Sequence, residues 1–385
     1  MKILYVISDR NIGGAGIQLL NILRHLDRRE FSVAVALPFG SRLRARLIGM
    51  HVRVVELEYP CQEIGARSVC ELCSVIRRFR PDIVHTNAAV SARIAGKLCG
   101  CRVVFTRHCA YPLQAAATPF CARLGNRLLT DRAIATAAAA ARDLVAMGVP
   151  PETITVILNG SDPVREVPAV ELAAWRKRLA LEPDDYCVGI CARLEACKGH
   201  DVFLLAAKLA KERMPRRRFR FLIVGDGRRR AELERLAASL GLSDDVRFTG
   251  FIDDVSPIYR LLRIHVSASR GTETSCLAVS EAMSAGVPEI VSDYGGNREM
   301  IGSDPCGIVF PAGDAAALAS AICTVASDPS LESSMRRAAL SRYSRLFTSS
   351  RMVDRLTEVY RGRGEDEDLG ALPQTPLRTF FRRRF

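Results

Sequence analysis

Glu273 and Glu281 stand eight positions apart in Ser269-Arg270-Gly271-Thr272-Glu273-Thr274-Ser275-Cys276-Leu277-Ala278-Val279-Ser280-Glu281. Ionised carboxylates only accept hydrogen bonds, so the pair suits a hydroxyl-rich ligand such as a nucleotide sugar. The elements that must position them follow from composition. Ile264-His265-Val266-Ser267-Ala268 predicts a strand, Gly271 to Cys276 a turn, and Leu277 to Ala285 a helix whose first turn is expected to begin near Thr274. The free amides of Ser275, Cys276 and Leu277 would then point above the sheet edge, where the positive end of the helix dipole favours a diphosphate. Glu273 would accept from sugar hydroxyls, and Glu281, two turns inside, would hold a ribose diol. The bland alternative is that Thr274 or Ser275 merely caps a helix and Glu281 is solvated. The spacing alone does not choose between them.

Upstream, Val188-Gly189-Ile190-Cys191-Ala192-Arg193 is an apolar strand ending in a cation, and Leu194 to Gly199 forms a tight loop carrying Lys198 before a helix from about Asp201. An arginine fork bridges two phosphate oxygens and a lysine adds a mobile point charge, so this strand end suits phosphate. Phe221-Leu222-Ile223-Val224-Gly225-Asp226-Gly227 reads as a buried strand with a glycine turn, and Val246 to Val255 as another strand leaving through Phe251 and Ile252.

In this order and spacing these segments resemble the second half of the retaining GT-B glycosyltransferases of family 4, whose carboxylate pair is called the E-x7-E motif. The resemblance extends over nearly the whole chain. Met1 to Ile7 leads to Gly13-Gly14-Ala15 and a leucine-rich helix; Pro81 to Asn87 and Val103 to His108 match two further strands; Ala285-Gly286-Val287-Pro288 and Ser292 to Glu299 follow the second glutamate. The resemblance implies an α/β architecture of two Rossmann-like doubly wound domains facing a cleft. It implies transfer of a sugar from a nucleotide diphosphate donor with retention and without a metal or other cofactor. Catalytic roles fall on His108, Arg193, Lys198 and Glu273. Donor contacts fall on Gly13, Gly14, Gly225, Phe251, Ile252, Thr274, Ser275, Cys276, Leu277 and Glu281, with the backbone near Phe251 and Ile252 at the base. The departing phosphate would take the acceptor's proton while His108 supports the strained sugar, and domain closure would exclude water.

Departures from the family pattern are Thr274-Ser275 where glycine and an aromatic or leucine usually stand, Arg228 for a proline, Arg263 for an aspartate, and Glu289 inside an apolar strand. The donor sugar is therefore open.

At 385 residues the chain exceeds one hydrophobic core. The expected division is 1–165 for an acceptor-binding domain, 166–345 for the nucleotide-sugar domain, 346–364 for a helix crossing back, and 365–385 for a flexible tail. The proline- and aspartate-punctuated stretch 163–186 marks the expected boundary, and Met335 to Arg361 is expected to straddle both domains. Residues 1–160 hold 21 Lys and Arg against 11 Asp and Glu, a net of +10, whereas residues 161–385 hold 34 against 31, a net of +3. Arg42, Arg44, Arg46, Arg77, Arg78, Arg80, Arg123, Arg127 and Arg132 suggest a patch for an anionic membrane or a phosphorylated acceptor. No nucleic-acid-binding motif interleaves arginines with aromatics, so nucleic acid is not expected. The tail's Thr379 to Phe385 suits a bilayer interface or plain solvent, and Asp366-Glu367-Asp368 is a poor metal site.

No apolar run is long enough to span a membrane and no h-region follows Met1, which points to a cytoplasmic protein, peripheral to the membrane if its charge is used. Thirteen cysteines, mostly in apolar segments, fit a reducing compartment; Cys70, Cys73, Cys99 and Cys101 could bind zinc but read better as buried thiols. Gly13 and Gly14 lack the third glycine of a dinucleotide fingerprint, since Leu19 occupies its place, which argues against an NAD enzyme. The rivals are a GT-B nucleotide-sugar epimerase, a pyridoxal-phosphate phosphorylase and a non-catalytic membrane-associated protein of the same fold. A UDP-sugar and a lipid-linked or surface-polysaccharide acceptor are the first expectation.

Overall fold

The computed structural model describes residues 1–363 apart from 11, 60, 62–63, 88 and 112–116, so the expected tail over 365–385 lies outside the described residues. The chain forms two compact units: Met1–Gly160 with the segment returning from Ser349, and Ser161–Thr348.

The first unit holds seven parallel strands, β1 (Lys2–Val6), β2 (Ser32–Pro38), β3 (Arg53–Leu57), β4 (Ile83–Thr86), β5 (Arg102–Arg107), β6 (Arg132–Ala135) and β7 (Ile154–Val156), in the order β3-β2-β1-β4-β5-β6-β7. The second holds β8 (Tyr186–Cys191), β9 (Phe219–Val224), β10 (Val246–Gly250), β11 (Ile264–Ser267), β12 (Glu289–Ser292) and β13 (Gly307–Phe310), in the order β10-β9-β8-β11-β12-β13. Helices cover both faces of such sheets, which is why runs such as Ile3-Leu4-Tyr5-Val6 are apolar throughout and buried. Both units are Rossmann-like and doubly wound. Strand order reverses between β1 and β4 in the first and between β8 and β11 in the second, and ligands of such sheets bind outside the carboxyl ends at that reversal.

The boundary falls earlier than the expected 163–186, at Gly160 and Ser161. The proline-rich stretch is tied to the second unit: the Val164 amide donates to Ser284 Oγ at 3.0 Å, and Arg165 pairs with Asp254 at 2.6 Å and Glu171 at 2.5 Å. The straddling helix is two helices, Pro329–Leu346 and Ser349–Arg361. The second packs Met352, Val353, Leu356, Val359 and Tyr360 into the core under β1 and β2, and its Tyr360 hydroxyl bonds His85 Nδ1 at 2.6 Å.

The arginines expected to form one patch are divided between the two edges of the first sheet. The Arg42 amide bonds the Arg10 carbonyl beyond the carboxyl end of β1, whereas Asp82, two residues after Arg80, bonds the Lys2 carbonyl at the amino end of β1. No helix among the described residues is long and apolar enough to cross a membrane.

Candidate active site

The loops that leave β8 and β11 carry the candidate chemistry of the second unit. After β8 the chain runs through Arg193 and a single turn, Ala196–Lys198, to Gly199. Gly199 has φ +70°, and a Cβ there would lie 2.0 Å from the Ala268 carbonyl oxygen, so only glycine lets this loop press against the backbone leaving β11. That approach brings Lys198 Nζ to 2.6 Å from Glu273 Oε2. Ser269 Oγ donates to the same oxygen at 2.7 Å, and the Thr274 amide also bonds this carboxylate. Burial pushes the Glu273 carboxyl upward, but Lys198 and these donors outweigh it and hold it below its ordinary range. Burial likewise opposes the Lys198 charge, and Glu273 overrides it, so the lysine stays cationic. The two residues were expected to serve sugar and phosphate separately; they are also paired with each other. The ammonium still has further hydrogens to donate, and the carboxylate further lone pairs.

Arg193 is exposed, with no side-chain hydrogen bond or ion pair among the described residues, and so is available to a ligand. Gly225 closes the turn after β9 at φ +128°, where a Cβ would meet the Ala192 carbonyl oxygen at 2.1 Å. Its glycine requirement comes from supporting the strand end that carries Arg193.

The helix begins at Leu277, three residues later than expected, with Cys276 at its N-cap. The reason is tertiary. Thr272 adopts φ +63°, strained for a β-branched residue, and the following residues Glu273, Thr274 and Ser275 turn inward and are buried. The amides at the helix start are therefore those of Leu277, Ala278 and Val279, the last two lying against the Cys276 thiol. Burial pushes that thiol up to about 12, so it is neutral and does not repel an anion.

Glu281 is only partly exposed and accepts from the Tyr259 hydroxyl at 3.0 Å; burial pushes its carboxyl up to about 7, against Tyr259 and His265, which lower it. Phe251 and Ile252 follow β10, two strands from β8 at the same carboxyl edge. Phe251 is 74 % exposed, whereas Ile252 packs on the Leu179, Leu181 and Tyr259 cluster. Sequence reasoning missed Ser269 and Tyr259. A serine closing a strand end two residues before a glycine was the available signal for the first; the second carried none.

In the first unit, His108 follows β5, and burial lowers its imidazole to about 4, leaving it neutral. Gly13 caps the helix Gly14–His25 beyond β1, and a Cβ on Gly13 or Gly14 would meet nothing within 4 Å, so no described neighbour demands glycine there. Of the four cysteines weighed for zinc, Cys73 and Cys101 are buried, Cys99 is half-buried and Cys70 is exposed. No cluster of three or more His, Cys, Asp or Glu arranged for a metal occurs among the described residues.

Residues 173–342 match the family described as glycosyl transferases group 1, and residues 12–165 match that described as glycosyltransferase family 4. The chain belongs to these glycosyltransferases. The enzyme is accordingly a group 1 glycosyltransferase that uses a nucleotide sugar. It is 27 % identical to a D-inositol 3-phosphate glycosyltransferase of Thermomonospora curvata, over 91 % of this chain and 90 % of that one. It is 26 % identical to the 2-deoxystreptamine N-acetyl-D-glucosaminyltransferase of Streptomyces fradiae, over 80 % and 81 %. The glycosyltransferase also shares its fold with Anabaena HepE, solved with UDP, at a TM-score of 0.80 and 22 % identity over 94 % of this chain and all of the other.

The family's departures resolve as local pairs. Arg228 reaches Glu195 at 3.3 Å, Arg263 reaches Glu332 at 2.8 Å, and Glu289 reaches His265 at 2.7 Å.

Proposed function

We propose that this glycosyltransferase moves a hexose from a UDP-sugar to a lipid-linked or saccharide acceptor, with retention of anomeric configuration and without a metal. The Lys198, Glu273 and Ser269 cluster at the strand-order reversal carries the reading. Arg193, Lys198 and the amides of Leu277 to Val279 stabilise the charge that grows on the diphosphate as the bond from the anomeric carbon breaks. Glu273 accepts from the sugar's hydroxyls, Glu281 from the ribose, and the backbone at Phe251 and Ile252 meets the base. The acceptor oxygen bonds the same face of the anomeric carbon, and its proton passes to the departing phosphate oxygen. In the first unit, neutral His108 and the open backbone at Gly13 and Gly14 are candidate ligand contacts. No glycosyl ester forms on a carboxylate, unlike in retaining glycosidases.

The test is a panel of UDP-hexoses with candidate acceptors, with product configuration read by NMR and EDTA added in parallel. An inverted product, or activity abolished by EDTA, sinks the reading; conversion of the donor without acceptor establishes the epimerase alternative. A cyclitol acceptor is the second reading, favoured by the names of the two relatives above, and the net +10 of residues 1–160 favours a phosphorylated one.

The helix Phe120–Leu128 supports a peripheral attachment to an anionic bilayer on the cytoplasmic face. Phe120, Leu124 and Leu128 are 82, 47 and 64 % exposed at four-residue spacing, with exposed Arg123 and Arg127 beside them. Sedimentation with phosphatidylglycerol vesicles, but not phosphatidylcholine vesicles, that is lost in Phe120→Ser/Leu124→Ser is the expected outcome.

A further inference from the structure

Glu289 and His265 are register partners on the adjacent interior strands β12 and β11, where parallel sheets carry apolar residues. His265 Nδ1 lies 2.7 Å from Glu289 Oε2, and the side chains are 1 % and 0 % exposed. Glu289 Oε1 has no hydrogen-bond partner among the described residues, and His265 has only the weakly bonding Cys191 thiol besides Glu289. A buried ion pair with an unsatisfied oxygen is a poor source of stability, because apolar residues of similar volume often do as well or better. The pair therefore calls for another reason.

That reason lies on the other side of the imidazole. The Tyr259 ring meets His265 edge-on at a centroid distance of 5.8 Å, and the Tyr259 hydroxyl donates to Glu281 Oε2 at 3.0 Å. The Cys191 thiol, at the end of β8, touches both Tyr259 and His265. A line of polar groups thus runs from inside the sheet to the carboxylate on the donor-loop helix. Burial disfavours the imidazolium, but Glu289 outweighs burial and raises His265; His265 in turn lowers Glu289 and Glu281 against the burial that pushes each carboxyl up to about 7. Tyr343, whose hydroxyl donates to the Ser161 carbonyl at 2.8 Å, is a further titratable group within the field of Glu281.

We propose that His265 and Glu289 are positioning residues for the donor's ribose: the imidazolium, held by Glu289, and the Tyr259 hydroxyl fix Glu281 as an oriented carboxylate that can accept from both ribose hydroxyls. This rests on the reading of Glu281 as the ribose ligand. A protonated Glu281 would lose half of that acceptor capacity and turn a donor toward hydroxyls that must themselves donate.

The test is calorimetric binding of UDP and 2′,3′-dideoxy-UDP, or of GDP or ADP with its dideoxy form if one of those is the nucleotide that binds. The wild type is expected to prefer the ribonucleotide at least about tenfold, the scale of one hydrogen bond to a charged group. Glu281→Gln should reduce the preference to within about twofold, and Glu289→Gln should do the same, with no further loss when the two are combined. The apolar pair His265→Phe/Glu289→Val guards against misfolding: it should keep the wild-type Tm and still lose the preference. Folded Glu289→Gln or apolar-pair protein that retains the full preference overturns the proposal while leaving the role of Glu281 intact. A wild type that does not distinguish the two nucleotides overturns the role of Glu281 itself.

Discussion

Replacing Lys198 by methionine removes the charge that holds Glu273 but keeps most of the buried stem. The side chains of the pair are only 17 % and 9 % exposed, so Glu273 is left as a buried carboxylate without its cation. Breaking a buried pair from one side costs about 3–5 kcal/mol, and since the Ser269 hydroxyl and Thr274 amide remain, about 3 kcal/mol is expected at pH 7. For a unit of this size each kcal/mol moves the Tm by about 2–4 °C, which gives a fall of about 6–12 °C by calorimetry. The pH dependence identifies the cause. In the wild type the Glu273 carboxyl is held below its unfolded value, so its contribution is present above that value and lost as pH falls through the folded one. In Lys198→Met burial is opposed only by the Ser269 and Thr274 donors, the folded value is expected to rise above the unfolded one, and the destabilisation disappears once the carboxyl takes a proton. The gap between the two proteins should therefore narrow from pH 7 toward about pH 4. Turnover should fall about 100- to 1000-fold, as when one preorganised charge donor is removed. A gap that stays constant with pH, or a Tm change under about 2 °C, would refute the reasoning.

Arg193→Ala should leave the Tm of the free protein unchanged, because the side chain is exposed and unpaired among the described residues, yet weaken nucleoside diphosphate binding about 10- to 100-fold. Ligand at 100 times its dissociation constant adds about 2.7 kcal/mol, so a thermal-shift titration reads the loss directly. Gly199→Ala would place its Cβ 2.0 Å from the Ala268 carbonyl in a left-handed backbone, and circular dichroism melting should show a loss of about 2 kcal/mol or more together with activity. Burial lowers His85 to about 3 and His108 and His200 to about 4, so the unfolded chain gains protons first on acidification. Their contribution to stability is complete above about pH 6.5 and declines below it, and His85→Phe should flatten that acid limb in urea melts.

The sheets were legible because buried parallel strands write themselves as continuous apolar runs, as in Phe221-Leu222-Ile223-Val224. The boundary was not, since Pro163, Pro168 and Pro183 look like a linker until the ion pairs of Arg165 are seen. The helix start was misplaced by three residues because local propensity favours Thr274 as a cap, while the observed turn is set by Thr272 and by the burial of Glu273 against Lys198, 75 residues away. Long-range pairs of this kind leave no periodicity. The same holds for Glu289, which the sequence could mark as an intruder in an apolar strand but could not match to His265 on the neighbouring one.

The return of Ser349–Arg361 to the first sheet sets an order on biosynthesis. Residues 161–348 leave the ribosome as a complete unit, while residues 1–160, made earlier, still lack one wall of their core. Met352, Val353, Leu356, Val359 and Tyr360 together bury roughly 10 kcal/mol of apolar surface, comparable to the whole stability of about 5–15 kcal/mol that a domain possesses. The half made first must therefore finish last, waiting with Phe31 and its neighbours in that core without Tyr360 until Ser349–Arg361 emerges.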